Sequence, residues 1–274
     1  MRTLLLTLFL ALLAGCAAEG PRIDHTYNAR GQSDRIKFVV IHYTAGDLPG
    51  SLKTLTQEIV SSHYLLTDTS PPFFYQLVDE SRQANHAGVS NWKTYTQIND
   101  SSIGIEIVNR GFVDTPEGRV WYPFRQDQID QLILLLKDIV ARHHIAPENI
   151  LGHADVAPQR KEDPGPLFPW KQLADAGLML WPDATQVAAR QPQYEAQLPD
   201  VAWFQKKLAQ HGYAVPQTGM LDPATHNVLV VFQSKYRQSK FDGTPDAETA
   251  AILDVLTSPA APVPMPAPAA ESGH

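Results

Sequence analysis

Between residues 38 and 153 several short apolar segments occur, and one long amphipathic segment lies before the last of them. Of all the sequence features, this order restricts the possible folds most strongly. Residues 38–42 (FVVIH) form a continuous apolar run rich in β-branched side chains, which is typical of a buried strand. Residues 103–107 (IGIEI) alternate strictly between isoleucines and other residues, so they predict a strand with two different faces. Two further strands are predicted at 73–78 and 149–153.

The segment 127–143 is predicted to be an amphipathic helix. Its apolar residues recur at the spacing of one buried helical stripe, and Pro147 lies just beyond its end. The stripe consists of Ile129, Leu132, Ile133, Leu136, Ile139 and Val140. A second helix is predicted within residues 51–63. Strands that alternate with helices indicate an α/β layer architecture.

The carboxyl-terminal part of the chain has a different pattern. Residues 183–197 are polar and rich in Ala, Gln and Pro, so they are interpreted as a linker. Residues 198–257 contain three apolar helical segments separated by turns, which predicts a small three-helix domain. Residues 258–274 are rich in Pro and Ala and are predicted to be a disordered tail.

The amino terminus has the composition of a secretory signal. Arg2 supplies a positive charge, residues 3–14 are apolar, and small residues precede Cys16. The apolar run is shorter than the roughly 20 residues that a transmembrane helix needs, although a short membrane anchor remains an alternative. The sequence LAGC that ends at Cys16 resembles the bacterial lipobox, whose cysteine is lipidated. We therefore predict a signal peptide at 1–15 and a lipidated tether at 16–31.

Cys16 is the only cysteine among the 274 residues. It cannot form an intramolecular disulfide, and a single cysteine in a secreted protein needs an explanation that lipid attachment supplies. The residue after Cys16 is not aspartate, which resembles the signal for outer-membrane sorting. We expect an outer-membrane lipoprotein that faces the periplasm and contacts the membrane through a lipid anchor at Cys16.

The net charge of the chain is −7, which argues against a nucleic-acid partner because such partners require a basic surface. We expect the protein to be a monomer.

Two histidines and one aspartate are candidate metal ligands. His42 and His153 each end a predicted strand, and Asp163 follows His153 within a loop that contains four prolines. Two imidazoles and a carboxylate can hold a catalytic zinc ion and leave one position open. The residues alone leave a structural role for each histidine open, since a histidine beside an apolar strand often serves packing.

Four motifs occur in the order found in one enzyme family: VIHYT at 40–44, HAGVS at 86–90, NDSSIGIE at 99–106 and GHADVAPQRKEDPGP at 152–166. Together they resemble the type-2 N-acetylmuramoyl-L-alanine amidases. This resemblance implies a domain at 32–182 with a mixed central β-sheet flanked by helices. It also implies hydrolysis of the amide between N-acetylmuramic acid and L-alanine in peptidoglycan, by a water bound to Zn²⁺.

The same resemblance implies roles for individual side chains. It implies His42, His153 and Asp163 as zinc ligands, and Glu106 and Lys161 as the catalytic pair. A carboxylate can move the proton of the water, and an ammonium group can stabilise the developing oxyanion. Weaker expectations concern contacts with the substrate. The residues expected to make such contacts are Arg160, His63 and His86, with a structural role left open for both histidines.

Residues 198–257 resemble the peptidoglycan-binding domain type 1 through FQKKL at 204–208, GMLDPAT at 219–225 and DGTPDAET at 242–249. The alternative is a helical module for packing or dimerisation. For the whole chain, two alternatives to the amidase remain. One is a lipoprotein that recognises peptidoglycan without cutting it. The other is a zinc carboxypeptidase that cuts within the stem peptide.

Overall fold

The computed structural model describes residues 20–258, so Cys16, the predicted signal peptide and the predicted tail beyond Ser258 lie outside the described residues. Residues 20–33 belong to a separate unit; they are exposed and form neither helix nor strand. The strands are β1 (Phe38–Tyr43), β2 (Tyr64–Leu66), β3 (Phe74–Gln76), β4 (Asn91–Trp92), β5 (Tyr95–Thr96), β6 (Ser102–Ile107), β7 (Phe112–Thr115), β8 (Gly118–Trp121) and β9 (Ile150–Gly152). The helices are α1 (Leu48–Gln57), α2 (Gln126–His143), α3 (His153–Val156), α4 (Trp170–Asp175), α5 (Ala184–Ala196), α6 (Val201–His211), α7 (Pro223–Tyr236) and α8 (Ala247–Thr257).

A five-stranded sheet in the order β3-β2-β6-β1-β9 forms the centre of the fold. Strands β2, β6, β1 and β9 run parallel to their neighbours, and β3 is antiparallel to β2. The mixed sheet with flanking helices is therefore confirmed. Strand β1 is buried along nearly its whole length, as expected for a parallel strand covered on both faces.

Helix α2 confirms the predicted amphipathic helix, since Ile129, Leu132, Leu136 and Ile139 are all buried. Helix α1 differs from its prediction because it begins at Leu48 and ends at Gln57. The Asp47 side chain caps its first turn by accepting a hydrogen bond from the Gly50 N–H. The backbone is already extended at Glu58, so residues 58–63 are not helical.

The expectation of a linker at 183–197 did not anticipate a helix, and the structure places α5 there. The Asp183 side chain accepts a hydrogen bond from the Gln186 N–H and caps this helix. Arg190 donates a 2.7 Å hydrogen bond to Asp254 of α8, and Tyr194 is buried. The polar composition reflects an exposed outer face, while a few contacts hold the inner face against the last helix.

The apolar core continues from the sheet into the carboxyl-terminal helices. Trp92 is fully buried, and its ring meets the edge of the Tyr213 ring at a centroid distance of 5.0 Å. Gly212 has a φ of +143°, and a Cβ there would lie 2.7 Å from Trp92. These contacts pack the turn after α6 directly against the sheet domain. Among the described helices, none is both long and apolar enough to cross a membrane.

Candidate active site

Parallel strand pairing brings three candidate residues to one edge of the sheet. His42 on β1 lies opposite Glu106 on β6. Ile41 lies opposite Gly152 on β9, so the next residue, His153, lies beside His42. His153 was expected to end a strand, but it is instead the first residue of the short helix α3. The strand ends at Gly152, and the ring of His153 lies against the ring of His42 on β1, with a centroid distance of 4.5 Å.

The side chains of His42, His153 and Asp163 converge on a single buried point. The Nδ1 atoms of the two histidines are 3.0 Å apart, and Asp163 Oδ2 lies 3.0 Å and 3.1 Å from them. This trio is the group of potential metal ligands found among the described residues. A tetrahedral ion with bonds of about 2.0–2.1 Å would place its ligands about 3.4 Å apart. The three atoms therefore need to separate by only a few tenths of an ångström.

The hydrogen bond on the far side of the His153 ring fixes which nitrogen can bind a cation. Its Nε2 lies 3.1 Å from the backbone carbonyl of Ala87. A carbonyl can only accept, so Nε2 carries the hydrogen. In a neutral imidazole this leaves the Nδ1 lone pair directed at the shared point.

A chain of hydrogen bonds fixes the tautomer of His42 in the same way. Ser102 Oγ donates its only hydrogen to the Ile98 carbonyl at 2.6 Å, so it must accept from His86 Nε2 at 3.1 Å. Burial lowers the pKa of His86 well below its usual value, so the ring is neutral and its Nδ1 accepts. His42 Nε2 therefore donates to that atom at 3.1 Å.

The pKa of His42 supports the same assignment. Burial, followed by the influence of His153, lowers this pKa to about 4, so His42 is neutral at pH 7. Its Nδ1 lone pair faces the shared point, as a zinc ligand requires. Sequence reasoning did not assign a role to Ser102, although this residue lies within the NDSSIGIE motif.

Gly104 is required at its position because the His86 ring lies directly on it. A Cβ at Gly104 would lie 2.6 Å from Cδ2 of His86. We expect Gly104→Ala to lower the free energy of unfolding by about 1–3 kcal/mol, as overpacking does, and to weaken metal binding by displacing His86. Thermal unfolding and zinc content measure the two effects. Gly46→Ala is the control, because its nearest neighbours would lie 3.8 Å away. Equal stability of both variants would contradict this prediction.

Glu106 projects from β6 into the cleft beside the three converging atoms. Its Oε2 is buried and has no hydrogen-bond partner within the described residues. Burial, reinforced by the charge of Asp163 and opposed by that of Lys161, raises the pKa of Glu106 to about 8. An unpartnered carboxyl group with a raised pKa is suited to accept and release a proton.

The cleft has a volume of about 950 Å³ and is lined by residues from both parts of the chain. Lys161 is exposed on its wall, and its charge lowers the pKa of Glu106. Asn227 and Val230 of α7 line the same cleft. Gln159 lies between the two parts, since it donates to the Ala224 carbonyl and accepts from Asn227.

Two predicted substrate contacts take other roles in the structure. His63 is fully buried, and its nitrogens bond the Arg82 carbonyl and the Gly104 N–H, so the expectation that it lines the cleft is wrong. His86 lines the cleft but uses both nitrogens to hold His42 and Ser102. The sequence could not separate these roles because they depend on partners from distant segments.

Arg160 lines the cleft, but its guanidinium holds a turn of the protein. It donates to the Ala87 carbonyl and, at 2.8 Å, to the Val89 carbonyl. The Ala87 carbonyl is also the acceptor for His153. Arg160 thus stabilises the turn that orients His153, and bidentate binding of a substrate carboxylate would require these hydrogen bonds to break.

Comparisons with known proteins agree with this geometry. The family model described as N-acetylmuramoyl-L-alanine amidase matches residues 32–166. The model of the peptidoglycan binding domain matches residues 197–253. Over 261 residues the chain is 46% identical to N-acetylmuramoyl-L-alanine amidase AmiD of Escherichia coli, covering 89% of this chain and 93% of the relative.

Two solved structures have the same fold across most of the chain. The complex of Escherichia coli AmiD with anhydro-N-acetylmuramic acid-L-Ala-D-γ-Glu-L-Lys has a TM-score of 0.79 and 43% identity, and covers 86% of this chain and 94% of that one. AmpDh3 of Pseudomonas aeruginosa in complex with anhydromuramic pentapeptide has a TM-score of 0.80 and 36% identity, and covers 85% and 96%.

Proposed function

The chain belongs to the N-acetylmuramoyl-L-alanine amidase family and is an enzyme of that class, and we propose that it uses zinc held by His42, His153 and Asp163. The observation that carries this proposal is that His42 Nδ1, His153 Nδ1 and Asp163 Oδ2 lie 3.0–3.1 Å apart. The lone pairs of these three atoms repel one another unless a cation lies between them. Two imidazoles and one carboxylate are a known catalytic donor set for zinc. Zinc bound there would polarise a substrate carbonyl and activate water.

We propose that Glu106 is the general base and then the general acid. Glu106 lines the cleft and its Oε2 has no hydrogen-bond partner among the described residues, so the carboxylate can take a proton from the attacking water and pass it to the nitrogen of L-alanine. Lys161 supplies a positive charge on the same wall and stabilises the oxyanion of the tetrahedral intermediate. The C–N bond then breaks, leaving a lactyl carboxylate and a peptide with a free L-alanine amino group.

We further propose that the substrates include muropeptides with 1,6-anhydro ends. The Escherichia coli relative was solved with an anhydromuramyl tripeptide and the Pseudomonas relative with an anhydromuramic pentapeptide. The cleft of about 950 Å³ is large enough for a sugar with several residues of stem peptide.

Mass spectrometry of the products tests the proposed reaction. Purified full-length protein with one equivalent of zinc is incubated with anhydromuramyl tripeptide and, separately, with intact sacculi. We expect the release of a peptide whose amino terminus is L-alanine. Cleavage inside the stem peptide would instead support the carboxypeptidase, and no cleavage at full zinc occupancy would overturn the zinc mechanism.

We propose that the mature protein is anchored in the outer membrane by a lipid at Cys16 and faces the periplasm. The support is local: the apolar run at 3–14, the small residues before Cys16, and a residue other than aspartate after it. Residues 20–33 are exposed and without regular structure, as a tether requires. A monomeric state remains a prediction.

Cys16→Ala tests the anchor. We expect the variant to lose incorporation of labelled palmitate and to move from the membrane fraction to the soluble fraction, because its one cysteine is gone. Fractionation of outer from inner membranes locates the unaltered protein. A native chain that takes up no label would contradict the proposal.

A further inference from the structure

Helix α3 connects two of the proposed zinc ligands through its backbone. It begins with His153, whose ring is one ligand. The N–H of the next residue, Ala154, donates a 2.9 Å hydrogen bond to the backbone carbonyl of Asp163, which is another of the proposed ligands. A displacement of α3 by a fraction of an ångström would therefore move both ligands together.

Asp155 fixes the start of this helix. Its Oδ2 accepts a 2.7 Å hydrogen bond from the Gly152 N–H and so caps the turn on which His153 lies. The carboxylate is almost completely buried, with 2% of its residue surface exposed. A buried carboxylate needs further partners that stabilise its charge.

Those partners come from the carboxyl-terminal helices. The Lys235 ammonium of α7 donates to Asp155 Oδ2 at 2.6 Å, and the Tyr213 hydroxyl donates to Oδ1 at 2.6 Å. Lys235 also reaches the Ile150 carbonyl of β9 at 3.3 Å and lies 4.3 Å from the centre of the Trp170 ring. Both oxygens of Asp155 are thus held by residues that lie 58 and 80 positions away in the chain.

Tyr213 is itself held rigidly. Its ring is buried against Trp92 and Phe232, and the neighbouring Gly212 carbonyl accepts a 2.7 Å hydrogen bond from the Lys93 N–H. The hydroxyl therefore approaches Asp155 from a fixed position.

We infer that Lys235 and Tyr213 are positioning residues for the metal centre, so that the carboxyl-terminal domain braces the catalytic site as well as lining its cleft. This inference rests on the proposed zinc ligands. A buried ion pair contributes little net stability after its desolvation, but it fixes geometry, and supporting shells of this kind decide how well a metal site is preorganised.

Electrostatics and positioning predict opposite results when Lys235 is removed. Loss of a positive charge near the site would, by charge alone, make the site more attractive to Zn²⁺. Loss of the brace would let α3 shift and would weaken binding. The sign of the change in zinc affinity therefore separates the two effects.

Zinc dissociation constants of metal-free, full-length variants test the inference, measured by competition with a chromophoric chelator. We expect Lys235→Met to bind zinc about 10-fold more weakly, the lower end of the effect of lost supporting partners. Tyr213→Phe should change affinity in the same direction, by about threefold, since one hydrogen bond is lost while the ring remains.

Arg237→Met is the matched control. Arg237 is also a buried cation of the carboxyl-terminal domain, but its partners Asp246 and Glu248 belong to the same domain. We expect this variant to lose stability and to keep the native zinc affinity. Circular dichroism confirms that each variant is folded at the temperature of the titration.

The outcomes are distinguishable. Native or tighter zinc binding by Lys235→Met overturns the inference, as does equal weakening in Arg237→Met. If Lys235→Met does not fold, Tyr213→Phe decides, and an unchanged affinity in that folded variant overturns the inference. Absence of zinc binding by the native chain would overturn the zinc proposal itself, and the inference with it.

Discussion

Replacing Glu106 with glutamine is expected to lower kcat by about 10²–10⁴-fold, the usual contribution of a positioned general base. Zinc content should remain at the native level because Glu106 is not among the three converging ligands. Glutamine has nearly the same shape, so the cleft keeps its form and only the proton acceptor is lost.

The same substitution should raise the stability of the metal-free protein at pH 8–9, although it lowers activity. In the metal-free protein, burial raises the pKa of Glu106 to about 8 from an ordinary value of 4.5. A raised pKa contributes stability that is fully present below pH 4.5 and is lost as the pH rises through about 8. Glutamine carries no charge and removes this loss, so the metal-free variant should unfold at a higher temperature than the native chain at pH 8–9.

Steady-state kinetics and calorimetry across this pH range check both expectations. Glu162→Gln is the control: Glu162 lies on the same cleft and burial also raises its pKa, but Arg119 donates a 2.6 Å hydrogen bond to its carboxylate and opposes that rise. Its replacement also loses the hydrogen bond from Arg119, so it should raise the stability at pH 8–9 less than Glu106→Gln does. Native kcat in Glu106→Gln would show that another group moves the proton.

The strands that carry the site could be predicted because their signal is local. The FVVIH run predicts β1, and the parallel arrangement then brings the ends of β1, β6 and β9 to one edge. His42 and His153 could therefore be named as candidates before the fold was known. The choice of these two among ten histidines depended on the family motifs.

The surroundings of the ligands could not be predicted, because they depend on contacts between distant segments. His86 lies 44 residues from His42, and its two ring nitrogens form hydrogen bonds with His42 and with the Ser102 hydroxyl. His63 has the same side chain as His86, but the Gly104 N–H occupies its Nδ1. No pattern within either segment distinguishes these two environments.

Helix α5 and Asp155 show the same limit. The polar segment 183–197 becomes helical because α8, near the end of the chain, supplies a packing surface. Asp155 lies within the motif at 152–166, and no residue near it in the sequence indicates its partners. Only the fold shows that its carboxylate accepts hydrogen bonds from Lys235 and Tyr213.

Replacing Asp163 with alanine is expected to have the largest effect of all on activity. It removes the only negative charge among the three converging ligands, so zinc should be lost on dialysis. Zinc supplies several kcal/mol of transition-state stabilisation, and each 1.36 kcal/mol corresponds to about tenfold in rate. We expect activity to fall by about 10³-fold or more.

The metal-free form of Asp163→Ala gives the sharper test of the site. Without a cation, the Asp163 oxygen and the two Nδ1 lone pairs face one another at 3.0–3.1 Å. If these groups are arranged for a metal, removing the carboxylate relieves their repulsion, so the metal-free variant should be at least as stable as the metal-free native protein. The zinc-loaded native protein should be far more stable than either, because a ligand that binds only the folded state stabilises it.

The test measures zinc content and unfolding temperature, with and without zinc, for the native chain, Asp163→Ala and the control Glu162→Gln. A metal-free variant much less stable than the metal-free native chain would mean that Asp163 holds the two histidines by hydrogen bonds, as a structural cluster rather than a metal centre.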